Sequence, residues 1–290
     1  TITVGAPPIT VLRTWGVPVG CEITCMVFKY PHHAYVGTNR GLWITDDSGM
    51  NWAARTKLSM DTIGALALSY DGGYLYTGDG SEWSKKGVHV SNTNGVYWQN
   101  VSNSTRGGVV SALVSLDYTH SIFAAVRGSQ VGIHRSLSAK DFAVVSSGLK
   151  DNNIVDADYA PETRKVYLGT DKQSIWESED GFVGWVRIAE APWKITCLAV
   201  TLDGAGVLVG TPGYGLGRYD LVKRSWENVQ GFPEHAVVYD LFVNPVTGHA
   251  FVTGDADRNG AYFVATSTNG GMTWDGVTGG VKSERPRAVA

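Results

Sequence analysis

Charge is scarce in this 290-residue chain: 18% of its residues are charged, the formal net charge is -3, and no run of one sign stands out. A nucleic-acid partner, which needs a basic stripe to neutralise phosphates, is therefore not expected. Cysteine is scarcer still. The three thiols, Cys21, Cys25 and Cys197, cannot all pair within the chain. Cys25 and Cys197 occupy matching places in ITCMVF and ITCLAV, which reads as buried free thiols in two related strands. No apolar run approaches the length of a membrane span, and no basic segment leads into an apolar one at the start. No stretch combines capping residues with a helical apolar period, so helical architectures drop out. The seven histidines show no ligand spacing, since His32, His120 and His249 all fall at turns in different parts of the chain. No metal and no cofactor are expected.

Glycine is abundant, with 36 residues, and aromatics make up 11% of the chain, which suits many short strands joined by tight turns. The tryptophans then supply a period. Trp52 and Trp98 are 46 apart, Trp185 and Trp226 are 41 apart, and Trp226 and Trp274 are 48 apart. Phe142 fills the gap, 44 after Trp98 and 43 before Trp185. Within each unit an almost wholly apolar segment comes first and alternating segments follow, as in Ile23 to Lys29, His33 to Gly37, Leu42 to Thr45 and Asn51 to Lys57. A period in the forties built from four strands marks the blade of a β-propeller. The fold class is therefore all-β, with four-stranded antiparallel blades in one domain over 1–290.

Six repeats occupy about 21–280. Counting 11 residues on from Trp274, the spacing that separates Ile63 from Trp52, reaches Arg285, where another inner strand should begin. Thr14-Trp15-Gly16-Val17 resembles a last strand. The economical count is thus seven blades, the last shared by the termini 1–20 and 281–290; six blades with two tails is the alternative.

The repeats also share a turn. Thr45, Asp47, Gly49 and Trp52 set a hydroxyl, a carboxylate, a glycine and an indole at offsets that recur in Ser267, Asn269, Gly271 and Trp274. Ser91, Gly95 and Trp98 keep three of the four, with Thr93 in the acidic place, and Ser178, Asp180 and Trp185 fit with Phe182 where glycine belongs. Such residues suit a hairpin turn, the acidic or amide side chain accepting backbone N–H groups and glycine taking a positive φ. The pattern resembles the Asp-box, or BNR repeat, of sialidases, sortilin-type receptors, xyloglucan-degrading enzymes and a photosystem assembly factor. That resemblance implies a propeller in which the box is a structural turn on the outer rim, remote from any active site.

Function should then lie in the loops between second and third strands and between blades, which share one face around the channel. Candidate ligand-binding residues there are Arg40, Glu82, Trp83, Arg127, Lys172, Tyr214, Asp257 and Arg258. An aromatic ring beside fixed polar groups suits a sugar, whose apolar face stacks while its hydroxyls are hydrogen-bonded. The longest loop, Gly78 to Gly87, carries Glu82-Trp83. Either Trp83 stands exposed at the channel mouth with Arg40 and Arg127 near it, or it folds down onto its own blade.

Enzymatic alternatives can be weighed on the same residues. A sialidase likeness implies a three-arginine carboxylate clamp, and Arg40, Arg127 and Arg258 occupy equivalent loops. The Arg-Ile-Pro signature of that family is absent, since Arg13 is followed by Thr14-Trp15. A xyloglucanase likeness implies two acids on facing propellers, whereas this length accommodates one; Asp79, Glu82 and Asp257 are the carboxylates that could pair. GYGLG, Gly213 to Gly217, lacks the following helix of a nucleotide loop and reads as a flexible turn. The expected function is non-catalytic recognition of a glycan or protein surface by one propeller face, in an extracellular or particle-surface setting. A glycoside hydrolase is the alternative, and a structural or assembly component the second.

Overall fold

A computed structural model describes residues 20–29, 32–55, 57–83, 86–101, 107–116, 121–128, 132–137, 142–146, 148–151, 153–179, 184–276 and 288. Blade one comprises β1 (Ile23–Lys29), β2 (His33–Thr38), β3 (Gly41–Thr45) and β4 (Ala53–Ala54). Blade two follows with β5 (Ile63–Leu68), β6 (Leu75–Asp79), β7 (Val88–Ser91) and β8 (Gln99–Asn100). Blade three has β9 (Gly108–Ser115), β10 (Ile122–Gly128), β11 (Gly132–Ser136) and β12 (Phe142–Val144). Blade four has β13 (Ile154–Ala160), β14 (Lys165–Thr170), β15 (Ser174–Glu179) and β16 (Val186–Glu190). Blade five has β17 (Cys197–Val200), β18 (Gly206–Gly210), β19 (Leu216–Asp220) and β20 (Ser225–Glu227). Blade six has β21 (Val237–Val243), β22 (Ala250–Asp255) and β23 (Tyr262–Ser267).

Every sheet is an antiparallel meander in chain order. In blade six a fourth strand is represented by Asp275, whose backbone exchanges hydrogen bonds of 3.0 and 2.9 Å with Thr266 of β23. The fold is a six-bladed, all-β propeller, the alternative of the two counts. The segments assigned to a shared seventh blade lie outside the described residues apart from Gly20 and Ala288. No helix among the described residues is long and apolar enough to cross a membrane.

The core is a series of layers between blades. Tyr35, Leu42 and Ile44 of blade one meet Ile63, Leu66 and Leu75 of blade two, and the same kind of layer recurs between each later pair. Fully burying each such side chain contributes about 1.5 to 3 kcal/mol, which no blade could gain alone. The periodic aromatics sit at or just before the outermost strand. Trp52, Phe142, Trp185 and Trp274 are buried, while Trp98 and Trp226 are only partly so. Trp15 and Asp180 lie outside the described residues.

The shared turn is built as its residue types require. Thr45 Oγ1 accepts the Gly49 N–H at 2.9 Å, and Asp47 Oδ1 accepts the Asn51 N–H at 2.9 Å. Ser91 and Thr93 repeat this for Gly95 and Tyr97, and Ser267 and Asn269 for Gly271 and Thr273. Two consecutive residues carry positive φ in each copy, Ser48 and Gly49, Asn94 and Gly95, Gly270 and Gly271. The indole N–H closes the unit, Trp98 donating to Gly95 O at 2.9 Å and Trp274 to Gly271 O at 3.0 Å. The blade-two turn also leans on the blade before it: Asn94 Oδ1 accepts Lys29 Nζ at 2.9 Å.

The six innermost strands line a central channel. Near its start the inner strand carries an extra, bulged residue in several blades, Thr24, Gly64, Val155 and Tyr239 among them. Hydroxyls at this place bridge to the next blade, Ser111 Oγ donating to Ile154 O at 2.8 Å and Thr196 Oγ1 to Val238 O at 2.9 Å.

Candidate functional site

In five of the six blades a polar residue at or just after the end of the second strand shapes the loop face. Thr38, Thr170 and Thr211 accept a loop N–H with the hydroxyl, and Asp79 and Asp255 do so with carboxylates. Asp79 is fully buried and gathers the long blade-two loop, its Oδ1 accepting Ser81 N–H at 3.0 Å and its Oδ2 accepting Lys86 N–H at 2.7 Å. A carboxylate spent on two backbone donors is a loop anchor, so Asp79 does not join Glu82 as an acid pair. Asp257, in blade six, likewise accepts the N–H of Asn259 at 2.8 Å, which with the Ala261 N–H lowers its pKa. Of the three carboxylates that could pair, Glu82 alone is among the described residues lining the cavity beside it.

That cavity opens on the loop face. Glu82, Trp83, Gly107, Gly108, Val109, Arg127, Gly128 and Asn153 enclose about 610 Å³ between blades two, three and four. Trp83 is 88% exposed, its backbone N–H held by Ser81 Oγ at 3.2 Å. The indole thus stands at the mouth rather than folding onto its blade. Arg127 lies across the cavity, exposed, and meets no acceptor among the described residues. Arg40 does not line this cavity; it is exposed on blade one, its backbone N–H bound to Thr38 Oγ1 at 3.0 Å. Lys172 is drawn instead to Asp151, at 3.7 Å.

Tyr214 and Arg258 form a second group with Trp193. The Tyr214 and Trp193 rings lie 6.5 Å apart between centroids at 22°, and Arg258 Nη2 donates to Gly213 O at 2.8 Å. The three arginines that a sialidase likeness would use as a clamp thus sit in three separate settings. GYGLG proves to be a hydrogen-bonded turn rather than a flexible one: Thr211 Oγ1 donates to Gly215 O at 2.8 Å and accepts Tyr214 N–H at 2.8 Å.

The channel carries acids that the sequence reading passed over. Asp156 Oδ2 accepts the Leu198 N–H and Asp158 Oδ2 the Val200 N–H, each at 2.8 Å, so the two carboxylates satisfy the open edge of β17 where it faces the channel. Enclosure by the surrounding strands pushes Asp156 up to about 8 and Asp158 up to about 6, although water in the channel, a space of about 430 Å³, reaches part of both side chains. Asp240 on β21 adds to the rise at Asp156. The signal was available: Asp at alternate positions of Ile-Val-Asp-Ala-Asp interrupts an otherwise apolar inner strand. Burial also raises the thiols, Cys25 to about 12 and Cys197 well above its usual value, and all three cysteines are unpaired.

No family model matches the chain, and no curated protein does. Solved structures do. A GH74 xyloglucanase from Xanthomonas campestris superposes with a TM-score of 0.74 at 16% identity, over 91% of this chain and 46% of that one. YCF48 bound to D1 peptide gives 0.65 at 17%, over 90% of this chain and 82% of that one. The extracellular domain of BT4673 from B. thetaiotaomicron gives 0.64 at 15%, over 85% and 32%. The likeness is one of fold. This chain spans less than half the length of the GH74 enzymes it matches.

Proposed function

We propose that the chain is a recognition module of Asp-box type that binds a glycan through its loop face without cleaving it. The observation that carries this reading is Trp83, 88% exposed at the mouth of a cavity that also holds Glu82, Arg127 and Asn153. An indole exposed beside a concavity offers an apolar face that a ligand can cover, and its flat ring suits the apolar side of a sugar. Arg127 and Asn153 offer donors and Glu82 an acceptor to the ring hydroxyls. Glu82 as the single carboxylate among the described residues of the cavity supports binding over hydrolysis, which uses two. The Asp-box reading rests on three turns that share side-chain bonds to backbone N–H groups, two of them closed by an indole N–H, all away from this face.

The test is a glycan array read beside a hydrolysis screen. Binding should be found without release of product, and Trp83→Ala should weaken it at least about tenfold, with urea stability unchanged. Binding unaffected by Trp83→Ala would remove this face as the site, and product release would establish the hydrolase alternative. A protein surface is the second reading, favoured by YCF48, a fold neighbour over most of its length whose structure holds a peptide. Retention of a peptide library rather than glycans by the parent, lost in Trp83→Ala, would select it.

A further inference from the structure

Across the channel mouth from Trp83, blades five and six build a second aromatic station. Tyr214 is 58% exposed at the tip of the β18–β19 loop and stacks near-parallel to the half-buried Trp193. Trp193 is fixed in turn by an edge contact with Trp226, 6.1 Å between centroids at 73°. The loop beneath is rigid. Besides the two Thr211 bonds, Gly215 N–H donates to Ala236 O at 2.9 Å, and the Arg258 guanidinium, bonded to Gly213 O at 2.8 Å, fills the space that a side chain at Gly213 would need. Bonds from three separate segments thus hold an exposed ring and an arginine side by side.

The two stations have the same make-up. Each joins an exposed aromatic to an arginine whose charge is not neutralised among the described residues: Arg127 has no acceptor there, and Arg258 donates to the neutral carbonyl of Gly213. A guanidinium with unspent N–H donors matches a carboxylate in a two-pronged contact, and an indole or phenol ring matches a pyranose face. Their placement follows from blade order. One station lies at blades two and three and the other at blades five and six, with the six inner strands closing the channel between them.

We infer that the two stations bind one ligand, a linear glycan bearing carboxylates, laid across the channel mouth with a sugar ring on Trp83 and another on Tyr214. This rests on the glycan reading of the Trp83 cavity and adds the second subsite, the acidic class and the requirement for length. A ligand too short to span would use one station at a time, while a spanning one gains the effective concentration of a tethered second contact.

The experiment is calorimetric titration with oligogalacturonates from disaccharide to octasaccharide, and with cello-oligosaccharides of equal length, against the parent, Trp83→Ala, Tyr214→Ala and Arg258→Gln. In the parent, affinity should rise at least about a hundredfold between the shortest and longest oligogalacturonates, and exceed that for cello-oligosaccharides. Tyr214→Ala should abolish that length dependence while leaving disaccharide binding at the Trp83 station. Arg258→Gln should narrow the preference for the acidic series. Long and short acidic chains binding alike, or Tyr214→Ala and Arg258→Gln both behaving as the parent while Trp83→Ala loses binding, would overturn the spanning ligand and leave the single-site reading intact. No binding of either series to a parent that binds another glycan on an array would overturn the acidic class; no glycan binding at all would remove the reading beneath it.

Discussion

Gly270 and Gly271 separate two costs that are often merged. Both have positive φ, 66° and 82°, but a methyl at Gly271 would overlap the Leu208 side chain whereas at Gly270 the nearest atom is Thr201 Cγ2 at 3.7 Å. Gly270→Ala should therefore cost about 1 kcal/mol from backbone strain, and Gly271→Ala about 1 to 3 kcal/mol more as the neighbouring blade is overpacked. Urea titration of the two variants checks the order. Trp274→Ala should cost about 3 to 5 kcal/mol, as for a large aromatic lost from a core; Trp98→Ala, partly exposed in the parent, should cost less. Asp47 adds a pH dependence. The Asn51 backbone N–H, its side-chain amide and the Thr45 hydroxyl lower its pKa to about 2. A depressed carboxylate favours the fold above the unfolded value of about 3.9 and loses that contribution as pH falls toward its folded value. Asp47→Asn should accordingly flatten the acid limb of a stability-against-pH curve between those limits.

At the scale of a strand, β13 is unusual in carrying its acids toward the channel. The sign is opposite to that of Asp47. Asp156 has its pKa raised to about 8 and Asp158 to about 6, so between roughly pH 4 and those values the folded chain holds protons that the unfolded chain has released. Stability should fall as pH rises through this window. In Asp156→Asn, whose amide oxygen can still accept the Leu198 N–H, the decline toward pH 8 should be reduced; a slope equal to the parent's in chemical denaturation at several pH values would show that Asp156 is ionised throughout. The elements also show the limits of reading by alternation. Blade one's first three strands fall where alternation puts them, yet its last shrinks to Ala53–Ala54 from the wider segment expected, because the turn bonds and Trp52, rather than a long ladder, hold the outer edge.

In the molecule as a whole each blade depends on its neighbours. Blade six covers Cys197, Ala199 and Leu208 of blade five with Val238, Ala250, Val252 and Phe263, and Phe232 of the connecting segment packs on Phe263 and Trp274. Ending the chain after Glu227 would expose that layer. The truncated chain is expected to lose cooperative unfolding, which circular dichroism through a urea titration would register; a sharp transition at the parent's midpoint would show that blades one to five are self-sufficient. The layout also explains why exposed aromatics are tolerated on the loop face: side chains there lie at the ends of strands, outside every interblade layer, so Trp83 and Tyr214 cost little to folding.

The repeat period, the alternation within it and the turn chemistry were enough to establish an all-β propeller, because each reflects a local requirement that every blade must meet. A glycine at positive φ or a threonine two residues before an aspartate acts within its own turn. The site was legible only in part. Trp83 and Arg127 could be picked out as loop residues too large or too charged for a blade's needs, but whether Trp83 stood up or lay down depended on Asp79 pulling the loop backbone inward, a contact between residues that one sequence does not rank. Arg40 was expected beside Trp83 and is elsewhere, since equivalent loop positions share a face without sharing a cavity. The carboxylates at Asp79 and Asp257 accept backbone N–H groups of their own loops, while Asp156 and Asp158, set in an otherwise apolar strand, face the channel. Tertiary structure decided these points because the partner of each group, a backbone N–H of its own loop or of the next blade, is specified by the ring closing and by nothing local.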